Sequence, residues 1–127
     1  MEIVRDFLLE SEQPSVRHYH PGEIRIGATI YDHSLIVTPA RVVPDWPPQT
    51  LDELDVANLA WLLELEPRPE MIILGTGERQ RFPLQEKLAA LFDAGIGVEI
   101  MDTAAACRTW NIVLAEGRRA ASALIIR

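Results

Sequence analysis

The sequence is poor in most of the features that would name a chemistry at once. Of its 127 residues only Cys107 is a cysteine, which excludes an intramolecular disulfide and any paired-cysteine metal knuckle. No charged, apolar and small-residue signal opens the chain, and no apolar run approaches the length of a bilayer span. The expectation is a cytoplasmic protein that is neither exported nor membrane-spanning, with any membrane association peripheral and through a partner. Basic charge is also short: 12 Lys and Arg stand against 19 Asp and Glu, leaving a net charge of −7. Binding of duplex or single strands rests on neutralising phosphates, so nucleic acid is not an expected partner. There is no Gly-Lys-Ser/Thr, hence no cradle for nucleoside triphosphate hydrolysis. Repeats, low-complexity tracts and linkers are absent as well.

What is present is apolar patterning. Hydrophobic residues make up 48% of the chain, enough for one real core, and 127 residues is the size of a single domain. The charge is split unevenly. Residues 1–70 carry 13 acidic against 5 basic side chains, whereas residues 71–127 carry 6 against 7. Such a bias is usually a solvated surface that aids solubility; its functional reading is a docking face for a basic partner.

Residues 1–22 are polar and irregular, ending in the turn signal Pro21-Gly22. Ile24, Ile26, Ala28 and Ile30 then alternate with polar positions through Tyr31, as in a half-buried strand. Asp32-His33 reads as a tight turn, and Leu35 to Val43 as the antiparallel return strand. Pro44, Pro47 and Pro48 around Trp46 forbid regular structure. Thr50 and Glu53 have capping-box spacing ahead of a short helix with Val56, Leu59, Ala60 and Leu63 on one face. Met71 to Leu74 is wholly apolar, as in a strand covered on both sides. Leu84, Leu88, Leu91 and Phe92 have the spacing of a helical stripe, with Pro83 near its start and Gly95 as its stop. Val98 to Met101 is the next strand, so Met71 to Met101 should form a right-handed parallel crossover. Thr103 is the expected N-cap of a helix with Ala106, Trp110, Val113 and Leu114 inward. Gly117 closes that helix, and Ala120 to Ile126 is a last strand. The early hairpin makes the whole sheet mixed.

The segment ILGTGERQRF from Ile73, followed by AGIGVEIMDTAAACRTWNIVLAEGRRAASALI from Ala94, resembles a family of small bacterial proteins of unassigned activity. The family is related to the mitochondrial complex I assembly factor 3. The resemblance runs from about Pro21 onward and is most specific at Gly75-Thr76-Gly77 and from Met101 to Asn111. It implies a three-layer β/β/α domain, with a mixed central sheet, helices on one face and a small second sheet on the other. It also implies a protein partner and help with the assembly of a respiratory NADH dehydrogenase complex. It implies neither catalytic residues nor a cofactor.

Each candidate for chemistry has a plainer reading beside it. Gly75-Thr76-Gly77 after a strand suggests dinucleotide binding, but Gln80 stands where the third glycine belongs and Pro83 delays the helix. A tight turn needing positive φ explains the glycines as well. Cys107, early in a helix and beside Arg108, sits where a thiol pKa can fall. The three histidines, His18, His20 and His33, are remote in sequence, so a buried small residue is the expected role. His18 and His20 would share a side of an extended segment and could bind a metal as a pair, yet two ligands without a nearby third make a weak site, and a solvated pair is the expectation.

Geometry favours one further constellation. Gly75-Thr76-Gly77 and Asp102-Thr103 follow the carboxyl ends of two parallel strands, where open α/β sheets form their crevice. A helix start at Thr103 offers N–H donors, Arg108 a bidentate fork, and Asn111 lies one turn beyond. This could hold a small anion; alternatively Arg108 pairs internally with Asp102 or Glu99. No acid, base or nucleophile converges there. The reading is therefore a non-catalytic interaction or assembly protein. The alternative is a small-anion or small-molecule binder, or an enzyme, using that crevice.

Overall fold

The computed structural model describes residues 13–127. Residues 1–12, part of the segment expected to be irregular, lie outside them. Two sheets carry the architecture. The first is antiparallel, in the order β1 (Val16–His20), β2 (Glu23–Ile26), β3 (Thr29–Tyr31). The second is mixed, in the order β5 (Val42–Val43), β4 (Leu35–Val37), β8 (Ala120–Leu124), β6 (Met71–Gly75), β7 (Gly97–Met101). Among the described residues three α-helices complete it: α1 (Val56–Leu63), α2 (Ala89–Asp93) and α3 (Thr103–Ala115).

The α/β class with a mixed central sheet and a small second sheet is as expected. Strands alternate sides, so the five-stranded sheet sorts its residues into two cores. Ile36, Ile72, Leu74, Ala121, Ala123 and Ile125 pack with Leu59 and Leu62 of α1, Leu91 of α2 and the indole of Trp46. On the opposite face Leu35, Val37, Ile73, Ala120 and Leu124 pack with Ala106, Trp110, Val113 and Leu114 of α3 and with Val16, Ile24 and Ile26 of the small sheet. The placement of helices on one face thus holds for α1 and α2. Helix α3 lies on the other face, beside the small sheet, because its apolar side is needed to close that second core.

The parallel core is β8, β6 and β7, with Ile72 opposite both Val98 and Ala121. β6 and β7 are parallel neighbours joined through α2, the crossover that their apolar runs suggested. Several local expectations are corrected. Residues 16–20 are not irregular but form β1, whose alternation is obscured by a register shift between Val16 and His18. The run Ile24–Tyr31 is not one strand: Gly27, at φ +59°, folds it into the β2–β3 hairpin. The return strand expected over 35–43 is likewise two strands, and β4 pairs with β8 of the larger sheet instead of with the first strand.

Thr50 makes no cap bond. The capping box belongs to Asp55 and Asn58, which exchange hydrogen bonds of 2.9 and 3.0 Å with each other's backbone. The inner face of α1 is accordingly Asn58, Leu59 and Leu62, and Val56 is exposed. In the crossover, Leu88 and Leu91 are buried while Leu84 and Phe92 are exposed. The reason is a 3-10 turn over Gln85–Leu88 ahead of α2; its tighter winding moves residues off the stripe that an α-helix would make.

Candidate functional site

The carboxyl ends of β6 and β7 meet where sequence reasoning placed a crevice, and their loops are hydrogen-bonded to each other. Thr76 N–H donates to Met101 C=O at 2.9 Å, and Thr103 N–H donates to Gly77 C=O at 2.9 Å. Gly77 N–H donates to the Thr103 hydroxyl at 2.8 Å, and that hydroxyl donates to Ile125 C=O at 2.7 Å. Ile125 N–H in turn donates to Gly75 C=O at 3.0 Å. Thr76 Oγ1 donates to Arg79 C=O at 2.6 Å and accepts from Arg81 N–H at 3.2 Å, tying down the loop after β6. The N–H groups of Thr76, Gly77 and Thr103 are thus bonded within the chain itself.

The glycines make this contact possible. A side chain on Gly75 would come within 2.9 Å of the Thr103 hydroxyl, and one on Gly77, at φ +104°, would overlap the Arg127 carbonyl oxygen. Gly75 and Gly77 thus permit close backbone approach. Thr103 is not the N-cap. Asp102 caps α3 through Ala105 N–H at 2.8 Å, while the Thr103 hydroxyl points inward and is buried.

Along α3 the remaining candidates separate. Cys107 is buried, and burial pushes its thiol up to about 12, with Arg108 pulling weakly the other way. Both the burial and the raised pKa disfavour the nucleophilic thiolate near neutral pH. Asn111 is a strap for β1: its side chain accepts from Val16 N–H and donates to Val16 C=O, both at 2.8 Å. Trp110 adds a 2.9 Å bond from its indole N–H to Pro14 C=O. Arg108 is exposed and makes no ion pair among the described residues. The internal pairing with Asp102 or Glu99 is not formed, because the Asp102 carboxylate is committed to its cap and Glu99 is exposed on β7.

Two shallow depressions adjoin along α3, both bordered by Tyr19 and Ala104. One, of about 190 Å³, is lined by Arg17, His18, Cys107, Arg108 and Asn111; the other, of about 280 Å³, by His20, Pro21, Gly77 and Glu78. Tyr19 donates its hydroxyl to Ile126 C=O at 3.3 Å, and burial raises its phenol to about 12. The structure thus brings Gly75, Thr76, Gly77, Asp102 and Thr103 into one hydrogen-bonded cluster, with Gly77 at the edge of the second depression. Arg108 lies outside it on an open surface.

Sequence reasoning missed the role of β1 and of Glu23. Pro21-Gly22, with Gly22 at φ +95°, closes a two-residue hairpin that sets Glu23 directly opposite His20. That turn dipeptide was the available signal. His18, His20 and Glu23 consequently cluster on the outer surface of the small sheet.

Residues 16–125 match the family described as "Protein of unknown function (DUF498/DUF598)". The chain is 36% identical over 108 residues to the zebrafish (Danio rerio) protein called NADH dehydrogenase [ubiquinone] 1 alpha subcomplex assembly factor 3. That match takes in 84% of this chain but 61% of the relative. Among solved structures, a Xanthomonas campestris protein is similar at 39% identity and a TM-score of 0.77, covering 88% of this chain and 83% of that one. A Bordetella pertussis protein described as a Mth938-like domain is similar at 29% identity and a TM-score of 0.80, covering 94% and 89% respectively.

Proposed function

Because the chain belongs to the DUF498/DUF598 family of proteins of unknown function, we propose that it is a non-catalytic interaction protein assisting assembly of a respiratory NADH dehydrogenase complex. The observation that carries this reading is the likeness to assembly factor 3, which extends over 84% of the chain. The chemistry of the site is in keeping with it: the Cys107 thiol is buried and its pKa raised, and the loops at the ends of the parallel strands are bonded to each other. Such a protein works by contact. Among the described residues no helix is long and apolar enough to cross a membrane, so on this proposal the protein acts from the cytoplasm and reaches a membrane complex through its partner. Arg108, exposed beside a depression and without an ion pair, is the side chain assigned to an acidic group of that partner.

The test is assembly itself. Cells lacking this chain should show less fully assembled NADH dehydrogenase on native gels and more of its subcomplexes, and the wild-type chain should restore it. Arg108→Glu should restore it poorly while its unfolding free energy stays within about 0.5 kcal/mol of wild type, as for an exposed side chain. Normal assembly without the chain would overturn the role. Full rescue by Arg108→Glu would remove Arg108 from it.

A further inference from the structure

We infer that His18, His20 and Glu23 form a binding site for a divalent transition-metal ion of the zinc class, on the outer surface of the small sheet. The donor atoms of all three side chains lie within 4.8 Å of one another. His18 and His20 come from one strand two residues apart, and the hairpin at Pro21-Gly22 delivers Glu23 from the next strand opposite His20. Two imidazoles and a carboxylate suit zinc and its neighbours, and leave a position open to water or to a partner's donor.

The arrangement of His20 is the most informative. Its Nδ1 lies 3.1 Å from Pro21 C=O, the usual way a metal-binding imidazole is oriented, with one ring N–H held by a carbonyl and the other nitrogen free to ligate. That other nitrogen, Nε2, lies 3.5 Å from Glu23 Oε2. Two ligands about 2.0–2.1 Å from a tetrahedral zinc stand roughly 3.3–3.4 Å apart, so this pair is already near ligating separation. The His18 ring lies edge-on to it at 5.2 Å between centroids, and a small side-chain rotation closes the set. No buried group must be moved, since both histidines are exposed and Glu23 is half-buried.

Among the described residues the charged groups nearby are turned elsewhere or line the adjoining depressions. Arg25, opposite His18 on β2, holds Gly27 C=O through its Nε at 3.1 Å. Arg17 and Arg108 line the depression next to His18, and Glu78 lines the one next to His20. The competing account of the short His20–Glu23 distance is an ion pair, which protonation of the imidazole strengthens. Metal binding has the opposite pH dependence, because the ligand must be neutral.

Calorimetric titration of the full chain with Zn²⁺ alone, against Mg²⁺ alone, tests this. One Zn²⁺ should bind per chain at pH 7.4, and Mg²⁺, which prefers an all-oxygen octahedron, should not bind there. His18→Ala, His20→Ala and Glu23→Gln should each weaken Zn²⁺ by about tenfold or more. His33→Ala, which removes the remaining histidine, should change nothing. Lowering the pH to 5.5 should also weaken binding by at least about tenfold. No saturable Zn²⁺ binding, or binding unchanged in the His18→Ala/His20→Ala double variant, overturns the site. Zn²⁺ binding that does not weaken at pH 5.5 would mean that the histidines are not its ligands and would overturn the site. Circular dichroism of each variant should match wild type; should a histidine variant misfold, Glu23→Gln carries the test.

Discussion

Two regions on the same side of the central sheet treat their polar groups in opposite ways. At the carboxyl ends of β6 and β7, peptide groups and the Thr103 hydroxyl are buried and bonded to one another at 2.7–3.0 Å. On the small sheet, His18 and His20 are exposed, and the bonds of the His20 ring are surface ones, to Pro21 C=O and toward Glu23. The first region has the glycines and the helix start that suggest a ligand, and it spends them on holding the chain together. The second has no motif of that kind, and its chemistry is at the surface. Unsatisfied buried groups are costly, so a buried cluster of donors and acceptors closes on itself, whereas exposed groups lose little by waiting for a ligand.

The sharpest way to break this contrast is Gly77→Ala. The new methyl group must overlap the Arg127 carbonyl oxygen at a backbone conformation that side chains rarely adopt. Strain and overpacking together should cost roughly 2–5 kcal/mol in urea unfolding. The same measurement on His18→Ala should stay within about 0.5 kcal/mol of wild type. Equal effects would mean that the strand ends are not closely packed.

A smaller effect is expected where the two regions are stitched together. Asn111→Ala leaves both backbone groups of Val16 without their side-chain partner. A loss of about 1–3 kcal/mol should follow, together with faster hydrogen exchange in β1 than in β6. Uniform exchange in both strands would show that β1 does not depend on this strap.

The smallest effect is one of pH. Burial lifts the Cys107 thiol from its ordinary value of 9.0 to about 12. The folded state therefore keeps a proton that the unfolded state releases, and the stability this contributes is present below pH 9 and lost as pH climbs toward 12. Between pH 8 and 10 wild type should lose about 1 kcal/mol more than Cys107→Ala, at a limiting slope of about 1.4 kcal/mol per pH unit. Thiol reagents should label the native protein slowly throughout. Parallel pH profiles for the two proteins would place Cys107 in contact with water.

Much of the architecture was legible in the residues. The unbroken apolar run Met71–Leu74 announces a strand covered on both faces, and Ile72 and Ile73 do face opposite cores. Ala106, Trp110, Val113 and Leu114 give the buried face of α3 directly. These succeed because burial acts on every residue of a regular element, so the period is written in the sequence. The failures have a common form. Gly27, the 3-10 turn before α2 and the shifted register of β1 each change the period locally, and a short window averages over such a change.

The candidate site shows the limit more clearly. Sequence alone determined that Gly75, Gly77, Asp102 and Thr103 gather at the ends of parallel strands, because strand order and loop position follow from local pattern. How closely that gathering packs was decided by contacts between distant segments: Ile125 bonds to Gly75 and to Thr103, 22 residues away, the Arg127 carbonyl fills the space beside Gly77, and Thr103 and Ala106 fill that beside Gly75. Likewise, His18 and His20 were visible as a pair, but Glu23 joins them only once the Pro21-Gly22 hairpin forms. Residue types and their local spacing are properties of the sequence. Which groups become one another's partners depends on contacts between distant segments, and those exist only in the folded chain.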